Sequence, residues 1–148
     1  MIFNNYKDFP RSGRIIGLDW GLRRCGVAVS DEKRDFVFER PQINVKTQSE
    51  LLNAVIALLN GDNFVGIVIG LPLYSDGSES ETTKNVRDFA ELLSGKTDLP
   101  IIFIDEALTS FSAQQEMGKT NVTQIKSNLD SMSARVILEN AIAVLKRF

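Results

Sequence analysis

The chain has 148 residues, 43% of them hydrophobic and 24% charged, with a formal net charge of −2. Those values fit a single globular domain (1–148) able to bury its own core, and no apolar run approaches the roughly 20 residues needed to span a bilayer. There is no histidine and one cysteine, which excludes Ser-His-Asp and Cys-His catalysis, histidine-based zinc sites and an internal disulfide.

Residues 1–12 are polar and irregular. They lack the apolar stretch of a signal peptide and are expected to form an N-terminal extension of a cytoplasmic protein. Residues 14–20 (RIIGLDW) read as a strand, and 25–31 (CGVAVSD) as a second, joined to the first by a hairpin-length link. Cys25 reads as a small buried strand residue. Residues 36–45 read as a third strand, interrupted at Pro41, which suggests an edge or a bulge. Residues 47–60 carry leucine, valine and isoleucine at helical spacing, and Gly61 ends that helix. The continuous apolar run 64–70 (FVGIVIG) is expected of a strand covered on both faces.

Residues 71–80 form a polar loop, 81–93 a helix and 100–105 another apolar strand. A short helix over 109–117, a polar connector over 119–128 and a final helix over 130–145 complete the chain. The order predicts an α/β fold: a mixed five-stranded sheet, three antiparallel strands followed by two parallel ones, with helices on its faces.

Three acids stand at the ends of these elements. Asp19 ends the first strand on the face of Ile15 and Gly17; it could also simply open a turn. Glu106 ends the last strand on the face of Ile102 and Ile104, where ligands collect in parallel sheets; it could instead cap the next helix. Asp130 opens the final helix in line with Ala134, Ile137 and Ala141; it too could be only a cap. The topology can bring all three to one edge. Such a set of hard oxygen donors suits Mg²⁺ or Mn²⁺, and two ions could clamp both oxygens of a phosphodiester undergoing displacement. Basic residues fall beside the acids in sequence: Arg23 and Arg24 after Asp19, Lys84 and Arg87 beyond the polar loop, Lys119 and Lys126 before Asp130. They are expected to form a phosphate-contacting rim.

Gly17-Leu18-Asp19-Trp20-Gly21 with Arg23 to Asp31 resembles the opening motif of the YqgF/RuvX family. Ile69 to Leu73 with Asp76 to Glu79 is similar to its second motif, and Arg87 and Phe89 fit the helix that follows. Asp105 to Ser110 resembles the third motif, and Leu129-Asp130-Ser131 with Ala134 the last. Residues 1–12 lie outside the resemblance. It implies a ribonuclease H-like nuclease whose catalytic, metal-binding acids are Asp19, Glu106 and Asp130. It also implies a substrate, either the 5′ end of the pre-16S ribosomal RNA or a four-way DNA junction. The partners would be nucleic acid and the small ribosomal subunit, with no membrane, and the protein a monomer or homodimer. Ala107 departs from the family, which usually has arginine there, so a substrate contact is in question. Two other classes are weaker. An actin-like nucleotide-binding protein would need a second glycine-rich motif and a longer chain. An idle ribosome-assembly factor would not need all three acids.

Overall fold

The computed structural model describes the backbone of residues 1–105 and 122–148, and the side chains of 1–105 and 134–148. Glu106, Ala107, Lys119 and the helix expected over 109–117 lie outside the described residues, as do the side chains of Lys126 and Asp130.

Six strands form one sheet: β1 (Ile2–Phe3), β2 (Arg14–Trp20), β3 (Arg24–Ser30), β4 (Val37–Asn44), β5 (Phe64–Leu71) and β6 (Ile101–Asp105), in the spatial order β1-β6-β5-β2-β3-β4. β2, β3 and β4 meander antiparallel, while β2, β5, β6 and β1 run parallel. Helix α1 (Gln48–Asn60) leads from β4 to β5, α2 (Glu81–Ser94) joins the parallel strands β5 and β6, and α3 (Val122–Leu145) closes the chain.

Alternation along the strands sends side chains to two cores, because successive residues point to opposite faces. Ile16, Leu18, Cys25, Val27, Ile67 and Ile69 pack with Leu51 and Val55 of α1 and with Val86, Phe89 and Leu93 of α2. Ile15, Ala28, Val68, Ile102 and Ile104 pack with Ile137, Leu138 and Ala141 of α3. β5 is buried on both sides, as its unbroken apolar run demands.

Capping sets where α1 and α2 begin. The Thr47 hydroxyl accepts from the Glu50 amide at 3.2 Å. Ser80 and Thr83 form a reciprocal capping box, which satisfies amides that a helix start leaves without partners. The Thr83 hydroxyl is fully buried and also donates to the Pro72 carbonyl, tying α2 to the end of β5.

Three expectations need correction. The sheet has six strands rather than five, because Ile2–Phe3 of the expected irregular N-terminus pairs in parallel with Ile101 and Ile102 of β6. The same segment supplies a 3-10 turn (Tyr6–Asp8) and the buried ring of Phe9, 2% exposed. That ring fills the space over Gly66, where an added Cβ would come within 2.4 Å of it. Finally, α3 already includes residues 122–128, so most of the expected connector 119–128 is helical.

β4 is the outer strand next to β3 and is mostly exposed. Its register slips by one between the Cys25↔Ile43 and Val27↔Arg40 pairs, so that Pro41 and Gln42 together stand opposite Gly26. Pro41 therefore occupies a bulge on an edge strand, where the ladder requires no amide from it.

Candidate active site

Asp19 lies at the carboxyl end of β2. Ile15 sits two places from Gly17 and packs in the α3 core, so Asp19, two places further, is on the α3 face. Its antiparallel partner is Gly26, opposite the β4 bulge. One residue past the Leu18↔Ile69 pair, Asp19 is level with Gly70 of β5, which itself pairs with Ile104 of β6. A half-buried carboxylate thus has a glycine on either side of it in the sheet, and neither neighbour fills the space around it with a side chain. Bulges commonly sit beside sites where one side chain must be aimed.

α3 covers this part of the sheet at very short range. A Cβ on Gly17 would stand 2.9 Å from Leu138 Cβ and 3.4 Å from the Ala134 carbonyl oxygen. A Cβ on Gly26 would stand 3.2 Å from Ala134 Cβ and 3.4 Å from Asp19 Cβ. Ala134 is therefore beside Asp19, and Asp130 precedes it by one helical turn on the same helix. β6 brings the chain to Asp105, the residue before Glu106, in register with Leu71. Within β6, Ile102 and Ile104 lie in the α3 core and Phe103 on the other side. Asp105 has its own neighbour: Tyr6 donates to the Phe103 carbonyl at 2.9 Å, and burial and the Asp105 charge push its phenol up. Among the described residues no three metal-ligating side chains cluster; of the three expected ligands, only Asp19 has a described side chain.

The β2–β3 hairpin is held rigidly. Gln48, at the start of α1, accepts from the Trp20 indole at 2.8 Å and donates to the Leu22 carbonyl at 2.6 Å. The Val45 amide donates to the Arg23 carbonyl at 2.8 Å. Gly21 is required by the turn, since a Cβ there would lie 2.6 Å from the Arg24 carbonyl oxygen. Arg24 shares the α3 face with Gly26, and both Arg23 and Arg24 are exposed. Sequence reasoning misses Gln48 and Tyr6, because neither belongs to a motif and both act through contacts distant in the chain.

Lys84 and Arg87 have a different setting. α2 packs on the face opposite to α3, so they lie across the sheet from Asp19. Lys84 is exposed. Arg87 pairs with Glu79 at 3.0 Å and lies over the Phe103 ring at 5.4 Å. The loop leading to α2 is closed on itself by a Leu73↔Glu79 bridge, by the Tyr74 amide on the Ser78 carbonyl, and by the Asp76 carboxylate, which accepts from the Ser78 hydroxyl and amide. Those bonds hold the Asp76 carboxyl below its ordinary range.

Cys25 belongs to the opposite core and is fully buried. Burial, and then the nearby Asp19 charge, push its thiol up to about 12. Roughly 10⁻⁴ of it is thiolate at pH 8, and thiolate is the reactive form. An aromatic disulfide reagent at pH 8 should therefore leave the native protein unmodified and titrate one thiol once denaturant is added. Rapid native labelling would contradict the buried placement.

The RuvX family model, described as Holliday junction resolvase, matches residues 13–143. A protein of Maridesulfovibrio salexigens named "Putative pre-16S rRNA nuclease" is 35% identical over 132 residues, covering 88% of this chain and 98% of that one. A protein of the same name from Sphingopyxis alaskensis is 36% identical over 140 residues, covering 93% and 91%. Among solved structures, T. thermophilus RuvC in complex with a Holliday junction substrate superposes with a TM-score of 0.61 at 12% identity, covering 90% of this chain and 96% of that one. That likeness gives the architecture a name, the ribonuclease H-like fold. No helix among the described residues is long and apolar enough to cross a membrane.

Proposed function

The chain belongs to the RuvX family and is a nuclease, and from that premise we propose that Asp19, Glu106 and Asp130 hold its catalytic divalent ions and that it processes the 5′ end of pre-16S ribosomal RNA. The observation that carries the metal reading is the setting of Asp19: a strand-end carboxylate between two glycines, on the face that α3 covers and beside Ala134. From Ala134 to Asp130 is about 6 Å along α3. Glu106 follows directly on Asp105, the last residue of β6.

The donors fit Mg²⁺ or Mn²⁺, since all are carboxylates and the chain has no imidazole to offer. Divalent ions bound there supply Lewis acidity at the scissile phosphodiester. The remaining work falls to the chain itself. The three carboxylates bind and orient, and α3 shields one side of Asp19. Arg23 and Arg24, on a hairpin braced by Gln48, hold flanking phosphates. Lys126 would extend that contact along the substrate, whereas Lys84 and Arg87, across the sheet from Asp19, could meet only a part of the substrate that passes round the sheet edge.

The RNA substrate rests on the names of the relatives, and such a protein would work in the cytoplasm beside the small ribosomal subunit. The description of the family model favours a second reading, cleavage of a four-way DNA junction. One assay separates them: both substrates, with Mg²⁺ or Mn²⁺, against the wild type and Asp19→Asn. Trimming of the RNA precursor supports the first reading, and junction cleavage the second. Cleavage that survives chelation of divalent ions would refute the metal reading.

The arginine hairpin has its own test. Removing one phosphate-binding cation should reduce the slope of log K against log salt by about 0.9 on duplex DNA. Arg23→Gln with Arg24→Gln should therefore reduce it by about 1.8, twice that amount. An unchanged slope would remove these residues from the interface.

A further inference from the structure

At the far end of α3 from Asp19, a cavity of about 120 Å³ opens between the 31–36 turn and the last turns of the helix. It has room for far more than one water. Arg11, Lys33, Arg34 and Lys146 line it, over a floor that includes Ile142 and Leu145. Among the described residues, four cationic side chains, no acidic one and Phe148 border this small concavity, in a protein whose net charge is negative.

Arg34 is the centre of this arrangement. It is only 5% exposed. Its Nε donates to the Gly13 carbonyl at 2.8 Å, which fixes the plane of the guanidinium, while Nη2 is buried with no partner. None of the described carboxylates is within ion-pair distance of it. Asp31, an acid of the same turn, spends one carboxylate oxygen on the amides of Asp35 and Phe36. Arg34 also has a φ of +59°, the one positive value at a non-glycine residue among those described. A left-handed backbone at a bulky residue costs energy and tends to persist where function holds it. A desolvated, unpaired guanidinium on a strained backbone is unfavourable unless an anion completes it.

We propose that this cavity binds a phosphate group. The guanidinium fork suits a tetrahedral oxyanion, and Lys33, Lys146 and Arg11 add charge around its rim. Ala134 to Leu145 spans about 16 Å of helix, so this phosphate is held well away from the one that Asp19 would face. The site stands apart from the nuclease reading, and its test does not depend on cleavage.

The test is calorimetric titration of the full chain with inorganic phosphate, at ionic strength matched with chloride. Saturable binding is expected, weakened at least tenfold in Arg34→Gln. Because Arg34 also shapes its turn, the exposed pair Lys33→Gln/Lys146→Gln is the second variant, and it too should bind at least tenfold more weakly while melting like the wild type. Absence of saturable binding, or equal binding in all three proteins, overturns the proposal. A short RNA duplex added in competition identifies the source: displacement of phosphate assigns the site to a backbone phosphate of a nucleic acid, and retention assigns it to a free phosphate.

Discussion

Asp19→Asn should lower kcat/KM at least about 10³-fold on whichever nucleic acid the enzyme cleaves, with the melting temperature nearly unchanged. The substitution keeps shape and removes one charge. Metal-assisted stabilisation of a phosphoryl transition state contributes several kcal/mol, and each 1.36 kcal/mol is a factor of ten in rate. No histidine exists anywhere in the chain to act as an alternative base. The fold should tolerate the change, because Asp19 lies next to the end of its strand, half-buried rather than in the core. Mn²⁺ affinity, followed by calorimetry, should fall in parallel with the rate. A variant that loses activity but binds Mn²⁺ like the wild type would assign Asp19 a role other than ligation.

Gly17→Ala should lower stability and activity together by pushing α3 off the sheet. The new Cβ would stand 2.9 Å from Leu138 Cβ and 3.4 Å from a backbone oxygen of α3. Neither obstacle is the mobile tip of a side chain, so the helix must move as a body. Overpacking of this kind costs about 1–3 kcal/mol, and at this chain length each kcal/mol lowers the melting temperature by about 2–4 °C. Activity should fall further than stability alone explains, since the same displacement separates Asp19 from the helix that carries Asp130. Thermal melts and rates measured together on Gly17→Ala check both halves. A variant that melts and cleaves like the wild type would mean that α3 sits farther from β2 than described.

The parts of the fold that can be read from the sequence are those written in local periodicity. Alternation around Gly17 and Leu18 predicts which face Asp19 takes, and Pro41 predicts both an edge and a bulge. The missing parts depend on contacts distant in the chain. Ile2 and Phe3 are too few to show a period, and their strand exists only because β6 offers an open side. Phe9 is a lone aromatic in a polar stretch; what marks it as core is the bare backbone of Gly66, more than 50 residues later. The polar residues between Val122 and Asn128 hide the apolar spacing of Val122, Ile125 and Leu129, so α3 begins earlier than its pattern suggests. For the site, motif spacing singles out the acids and arginines. It says nothing of Gln48 or Arg34, whose importance comes from which carbonyl each reaches.

The bulge in β4 also changes what that strand offers to other molecules. That strand is the sheet's open margin, and Phe36 and Phe38 on or beside it are 65% and 53% exposed. An unbroken ribbon with those rings would recruit a second molecule edge to edge. Pro41 withholds an amide hydrogen at the kink, and Glu39 and Arg40 place charge beside it. The irregularity thus also works against edge-to-edge pairing along this margin.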